Sequence, residues 1–334
     1  MSNPLLEKHL LPPFSSIEPS HVAPAIEQLI EGNKLTIEKL LAANSNYSWD
    51  NLLQPIEEME DQLAQAWSPV SHLNSVCNSD VLREAYNACL PLLSQYGTWM
   101  GQNSDLCAAY QQIADSESFD SLDPARRKAI GNALRDFRLA GVSLPAQQKQ
   151  KYGELRERLS ELGSKFSENV LDATNAWSKQ VSREQLTGLP DTALASARQA
   201  AQQAGMEDYL INLEFPSYSP VLSYCDDRKL REEVYTATCT RASEQGPHAG
   251  QWDNTAIIEE TLDLRQQLST LLGFANYAEL SLATKMAEDP GSVVDFLQQL
   301  AQQSHAQALQ EHQALSDFAR QEHGIEQLNA WDIS

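Results

Sequence analysis

No histidine in this 334-residue chain is followed by glutamate. His9, His21, His72, His248, His305, His312 and His323 precede Leu, Val, Leu, Ala, Ala, Gln and Gly. The helical pattern His-Glu-x-x-His, which sets two metal ligands one turn apart beside a general base, is therefore absent. The inverted order fails too, because Glu311-His312 and Glu322-His323 would need His where Ala308 and Ala319 stand. Cysteine is sparse: Cys77, Cys89, Cys107, Cys225 and Cys239 are odd in number and never spaced Cys-x-x-Cys. That excludes a zinc knuckle and argues for free thiols in a reducing compartment, the cytoplasm, over a disulfide framework. Basic side chains are few, 24 against 46 acidic, for a net charge of −22. Nucleic acid and anionic membrane surfaces both need cationic partners, so neither is expected. No apolar run approaches the length of a membrane span. Met1 to Leu11 lacks the basic-then-apolar order of a secretory signal.

What is present is helical periodicity. Apolar residues make up 42% of a chain long enough for one large or two ordinary domains. Leu155, Leu159, Leu162, Phe166 and Val170 line one helical face. Asn254 is placed to cap a helix carrying Ile257, Ile258, Leu262, Leu268 and Leu271, stopped by Gly273. A helix after Pro290 is expected to bury Val293, Val294, Phe296, Leu297 and Leu300. Ser20 precedes Val22, Ile26, Leu29 and Ile30, with Pro24 assigned to the first turn. Asp123-Pro124 opens a helix running through Ile130, Leu134 and Phe137 to Gly141. The Ala/Gln-rich stretch from Ala193 to Ala204 favours helix but offers little apolar face, which predicts an outer position.

Strand signals are few. Tyr209, Ile211, Leu213 and Phe215 alternate with Leu210, Asn212 and Glu214, and Pro216 ends the run. A lone strand needs a partner, so a small sheet is expected within a helical protein. Gly188-Leu189-Pro190-Asp191 and Gly246-Pro247-His248-Ala249-Gly250 interrupt the helical pattern. They suggest an N-terminal helical lobe over 1–190, then a small β element and further helices over 191–334. The closing Leu328 to Ser334 is apolar and aromatic, where domains usually fray into polar residues, and reads as cut rather than finished.

Few side chains are placed for bond chemistry. His305 and His312 share a helical face with Glu311 nearby, but stand about 10 Å apart along the axis, too far to chelate one ion. His72 lies beside Ser68 and Ser71 with no acidic neighbour to orient it, in what reads as a packed turn between helices. The thiols lack the flanking cations that would activate them, although Cys225 and Cys239 lie near Arg228 and Arg241. Arg231, Arg241 and Arg265, with Glu232, Glu244 and Glu260 nearby, read as structural clamps before they read as grips on a substrate carboxylate. Asp253-Asn254 reads as a cap, and Phe215, Tyr218 and Tyr224 as core before channel lining. No catalytic or metal-ligating residue is assigned, and the substrate-binding residues stay unknown.

Three segments go beyond helix filler. They are Trp67 to Val76 with Asn78-Ser79; Leu230 to Tyr235 leading into Thr240 to Gly246 and Trp252-Asp253-Asn254; and Leu264-Arg265, Leu271 to Tyr277 and Ala283 to Ala287. With Asn3 to Leu6, Leu11 to Phe14, Asn132 to Phe137 and Asn169 to Thr174, in this order, the chain resembles the thimet oligopeptidase family of zinc metallopeptidases, in its bacterial branch. The resemblance runs from residue 3 to residue 332. It implies a mainly α protein: a multi-helix lobe with a minor β element, the first half of a two-lobed, channel-forming metallopeptidase. It further implies a zinc cofactor held in a C-terminal catalytic half that follows a Trp-Asp like Trp331-Asp332. Short peptides would be the substrates. This chain would form one channel wall, be truncated before the zinc-binding helix, and be inactive alone. The rival reading is a complete, non-enzymatic helical module that binds peptides or a protein. A thiol- or serine-based hydrolase has no supporting spacing.

Overall fold

The computed structural model describes residues 3–333; Met1, Ser2 and Ser334, which belong to the two terminal readings above, lie outside the described residues. Two compact units emerge. One comprises 1–164 with 264–275, the other 165–263 with 276–334. The break read at 190/191 falls within the second of these.

The first unit is helical. It holds α1 (Pro19–Ala43), α2 (Gln54–Val76), α3 (Asp80–Gly101), α4 (Ser104–Ala114), α5 (Pro124–Leu139) and the first part of α6 (Ala146–Ala176). Val22, Ala25, Ile26 and Ile30 of α1 pack with Leu63, Ala66 and Val70 of α2 and Leu82, Cys89 and Tyr96 of α3. Further along, Ile37 joins Leu106, Tyr110 and Ile113 of α4 and Ile130 and Phe137 of α5 in a second cluster. One long amphipathic helix thus serves two cores, which the spacing of its apolar residues dictates.

Local chemistry sets the helix starts, with some departures from the sequence expectations. Helix α1 begins at Pro19, where Glu18 and His21 form a reciprocal cap, so Pro24 stands past the first turn. Asp123 accepts from the Arg126 amide and opens α5, and Gly141 ends it with φ +73°. Trp67 to Val76 forms no turn. It is the C-terminal part of α2, with Pro69 inside the helix, and Ser79 caps α3 through the Leu82 amide.

The second unit carries the sheet. Strand β1 (Ser178–Val181) pairs antiparallel with β2 (Tyr209–Asn212), Ser178 opposite Asn212 and Val181 opposite Tyr209. The strand is shorter than the alternation predicts. The Ser217 hydroxyl accepts from the Asn212 amide and the Asn212 side chain accepts from that of Glu214, so the chain turns there. Residue Phe215 starts a helix instead, with Pro216 tolerated in its first turn. Helix α7 (Asp191–Gln203) lies between β1 and β2, and three helices follow β2: α8 (Phe215–Tyr224), α9 (Arg228–Cys239) and α10 (Thr255–Leu271), the last contributing only its start to this unit.

Contrary to the outer position expected, α7 buries Leu194, Ala197 and Ala201, the first two packing with Ile211, Val221, Leu230 and Val234. Alanine is small enough to bring the helix backbone against the sheet, so a face poor in large residues still makes core. Two more helices complete the unit, α11 (Tyr277–Leu282) and α12 (Pro290–His323). The second of these overturns an expectation. Val294, Phe296, Leu297 and Leu300 are 49, 59, 56 and 48% exposed. The periodicity that marks an apolar face is real, but among the described residues Val294, Phe296, Leu297 and Leu300 are left largely uncovered.

Candidate functional site

A polar assembly in the second unit ties the segment after α12 to α9. Asp332 is buried, its side chain 1% exposed. Its Oδ1 accepts from Arg231 Nη2 at 2.9 Å and from Arg228 Nε at 3.0 Å, and its Oδ2 accepts from Arg228 Nη2 at 2.8 Å. Arg228 and Arg231 together hold this carboxyl well below the usual carboxylate range. Arg231 also donates to the carbonyls of Trp331 (3.0 Å) and Cys225, and Arg228 to that of Gln327. The Trp331 ring lies 5.9 Å from Tyr235, and its buried indole N–H has no partner among the described residues. Arg231 is therefore a clamp whose carboxylate is Asp332, 101 residues away. Proximity in sequence had pointed to Glu232. No sequence signal links such distant residues without a homologous structure.

Arg241 is a clamp as well, donating to the Thr238 carbonyl and the Thr174 hydroxyl at 3.0 Å each. Arg265 lies in α10, where its carbonyl accepts from the Ser269 hydroxyl. Asp253 caps α10 through the Thr255 amide, but the Asn254 side chain does something else. It is 2% exposed, accepts from Asn169 Nδ2 at 2.8 Å and donates to the Phe166 carbonyl at 3.2 Å, both on α6. An amide, which both donates and accepts, suits that position where a simple cap would not.

The remaining candidates separate. His72 is on the exposed surface of α2, its ring 5.5 Å from Phe14. Phe215 and Tyr224 are 69 and 57% exposed, so core packing does not account for them. Cys89 and Cys225 are buried, and burial raises both thiols, Cys89 to about 11. His305 and His312 are exposed on α12.

An open groove of about 610 Å³ runs beside β1 and α9, lined by Trp177, Lys179, Lys229, Glu232 and Glu233 among others. Lys179 and Glu233 are ion-paired within it. The arrangement offers both signs of charge and one aromatic face.

Fold and side chains together define a predominantly helical protein with a two-stranded β element, rich in structural clamps and without an assembled reaction centre among its described residues. Residues 26–149 match the N-terminal domain of neurolysin and thimet oligopeptidase, and residues 221–334 match peptidase family M3. Oligopeptidase A of Salmonella typhimurium is 50% identical over 335 residues, and that of Haemophilus influenzae 52% over 334. Each alignment takes in 100% of this chain and 49% of the relative. A probable cytosolic oligopeptidase A of Arabidopsis thaliana is 36% identical over 343 residues, again with 100% of this chain and 48% of the relative. The chain is thus similar to peptidase family M3 over 221–334 and to oligopeptidases A over its whole length, and spans about half the length of the curated relatives it matches.

The zinc that the resemblance implies does not fit the residues present. Among the described residues no group of three or more His, Cys, Asp or Glu is placed to hold a metal ion. Asp332, the one carboxylate of the clamp, is already taken by two guanidiniums. No helix of the described residues is long and apolar enough to cross a membrane.

Proposed function

We propose that this chain is the N-terminal part of a cytoplasmic, zinc-dependent oligopeptidase, a metalloendopeptidase that hydrolyses short peptides. Its own part in that activity is shape: it forms one wall of the substrate channel and limits what enters. The carrying observation is the alignment itself, in which every residue of this chain is matched at about half identity to oligopeptidases A twice its length. The zinc ligands and the general base belong to the unmatched half of such proteins, so the chain alone is inactive. The acidic balance of −22 supports peptides over nucleic acid or anionic lipid as partners. Free thiols support the cytoplasm.

Two polypeptides test the reading: the 334-residue chain, and the same chain continued by the second half of Escherichia coli oligopeptidase A. Each is assayed with a quenched fluorescent peptide, with and without zinc. Zinc-dependent cleavage by the continued chain and none by the chain alone is the expected pair. Metal-dependent turnover by the chain alone, or an inert but folded continuation, would overturn it.

A further inference from the structure

Helix α12 is 34 residues long, about 50 Å at 1.5 Å per residue, and among its residues Ala319 is the one that is buried. Val293, Leu297, Leu300, Leu315 and Phe318 fall within about 60° of its circumference at 100° per residue. Leu297, Leu300 and Phe318 are 56, 48 and 54% exposed. The stripe recurs at helical spacing near both ends of α12; Phe296 and Val294 flank it, and Gln302 stands on the opposite side with Leu309.

From this face we infer that α12 is the seat of the chain that continues the protein: its apolar stripe docks the segment corresponding to the second half of the oligopeptidase A relatives. The inference rests on the reading given under Proposed function. Two observations select that occupant. The family M3 match covers 221–334, so α12 lies within the peptidase domain and not in the separately matched N-terminal domain. The relatives carry about as much chain again as is aligned here, and a domain covers its amphipathic helices with its own elements. The polar stretch at the middle of the stripe, Ser304 and Glu311, divides it into an N-terminal apolar patch and a C-terminal one around Leu315 and Phe318. The covering element therefore makes contact in two places.

Thiol labelling tests this. Leu297→Cys, and Gln302→Cys on the opposite side of α12, are made in the 334-residue chain and in the chain continued by the second half of Escherichia coli oligopeptidase A. Each is treated with a maleimide and read by peptide mass spectrometry, with the exposed Cys77 as internal reference. The L297C thiol is expected to react at least tenfold more slowly in the continued chain, with Q302C unchanged. Equal reactivity of L297C in both polypeptides overturns the inference. So does protection in the short chain alone that grows with protein concentration, which would assign the stripe to a second copy. Peptide cleavage by the continued chain is scored separately. An active continuation with a freely labelled L297C thiol sinks the docking alone, and a protected thiol in an inactive one sinks the peptidase reading alone.

Discussion

Asp332 and Arg231 meet across 101 residues of chain, Nη2 to Oδ1 at 2.9 Å, with the carboxylate 1% exposed and the guanidinium 14%. The pair fastens the segment after α12 onto α9. Removing one member of a buried pair leaves the other without compensation and costs about 3–5 kcal/mol. Arg228, at 43% exposure, can return to solvent, so Asp332→Ala is expected nearer about 2–4 kcal/mol. The loss should be local, read as faster hydrogen exchange in 324–333 with little change in α1 to α5.

The same pair gives an acid dependence of known sign. The folded carboxyl is held below its unfolded value, first by Arg228, so its contribution is fully present above the unfolded pKa of about 4. It is lost as pH falls from there through the folded value. The difference in protection of 324–333 between wild type and Asp332→Asn should therefore be constant at neutral pH and shrink below about pH 4. A difference that persists unchanged into acid would show that the carboxylate's charge is not what fastens the segment.

Asn254 tests a different kind of join. Its amide accepts from Asn169 and donates to the Phe166 carbonyl while almost fully buried. Asn254→Asp keeps the acceptor but turns the donor into a second oxygen facing a carbonyl. The unmade bond and buried charge should cost about 1–3 kcal/mol in urea unfolding. Were the residue only a helix cap, aspartate would serve equally well and the change would be neutral.

Tyr96 donates to Glu60 in the first unit, against a background of burial that raises Glu60 above its ordinary value. Tyr96→Phe removes the hydroxyl that opposes this rise, so the glutamate's pKa climbs further. A raised folded pKa means the contribution is complete below the unfolded pKa and is lost as pH rises through the folded one. The cost of Tyr96→Phe should therefore be larger at pH 8, about 1.5–3 kcal/mol for a bond to a charged acceptor, and smaller near pH 4. Thermal melts at the two pH values give the comparison.

These sites show which parts of the molecule were legible in the sequence. The helix faces at Val22, Ile26 and Ile30 and the cap at Asp123 were readable, because both are set by residues within a turn or two of one another. The length of β2 was not, since Ser217 and Asn212 end it by side-chain bonds to the backbone that alternation does not encode. The Leu194, Ala197 and Ala201 face of α7 was hidden because small residues make core only where another element comes close. On α12 the periodicity at Leu297 and Leu300 was read correctly as an apolar face and wrongly as a buried one. Pattern specifies which side needs covering, and the cover has to come from elsewhere. The Arg231 clamp was legible as a clamp, but its partner 101 residues away was not.

Gly188 stands where the chain enters α7, with φ +93°. A Cβ there would meet the Tyr224 carbonyl oxygen and the Asp226 carboxylate, and the left-handed backbone disfavours any other residue. Both penalties act in Gly188→Ala, so destabilisation of about 2 kcal/mol or more is expected. Gly205, also at positive φ (+68°) but with nothing near its would-be Cβ, is the control. Gly205→Ala should carry only the backbone cost of about 1 kcal/mol, and equal losses at the two positions would remove the steric part of the argument.

The thiols divide by environment in a way that a single labelling experiment reads. Cys77 and Cys239 are exposed, whereas Cys89 is fully buried and pushed up to about 11 by burial, with Glu27 adding to the effect. Only the thiolate attacks, so a group titrating that high is almost wholly protonated at pH 7.5 as well as shielded. A limiting dose of a disulfide reagent should therefore modify Cys77 and Cys239 within minutes and leave Cys89 and Cys225 intact. The latter two become reactive in urea, once Leu82, Tyr96 and their neighbours no longer cover Cys89 and the α8 and α9 core no longer covers Cys225. Rapid native modification of Cys89 would mean that the packing of α1 against α3 opens on the timescale of labelling.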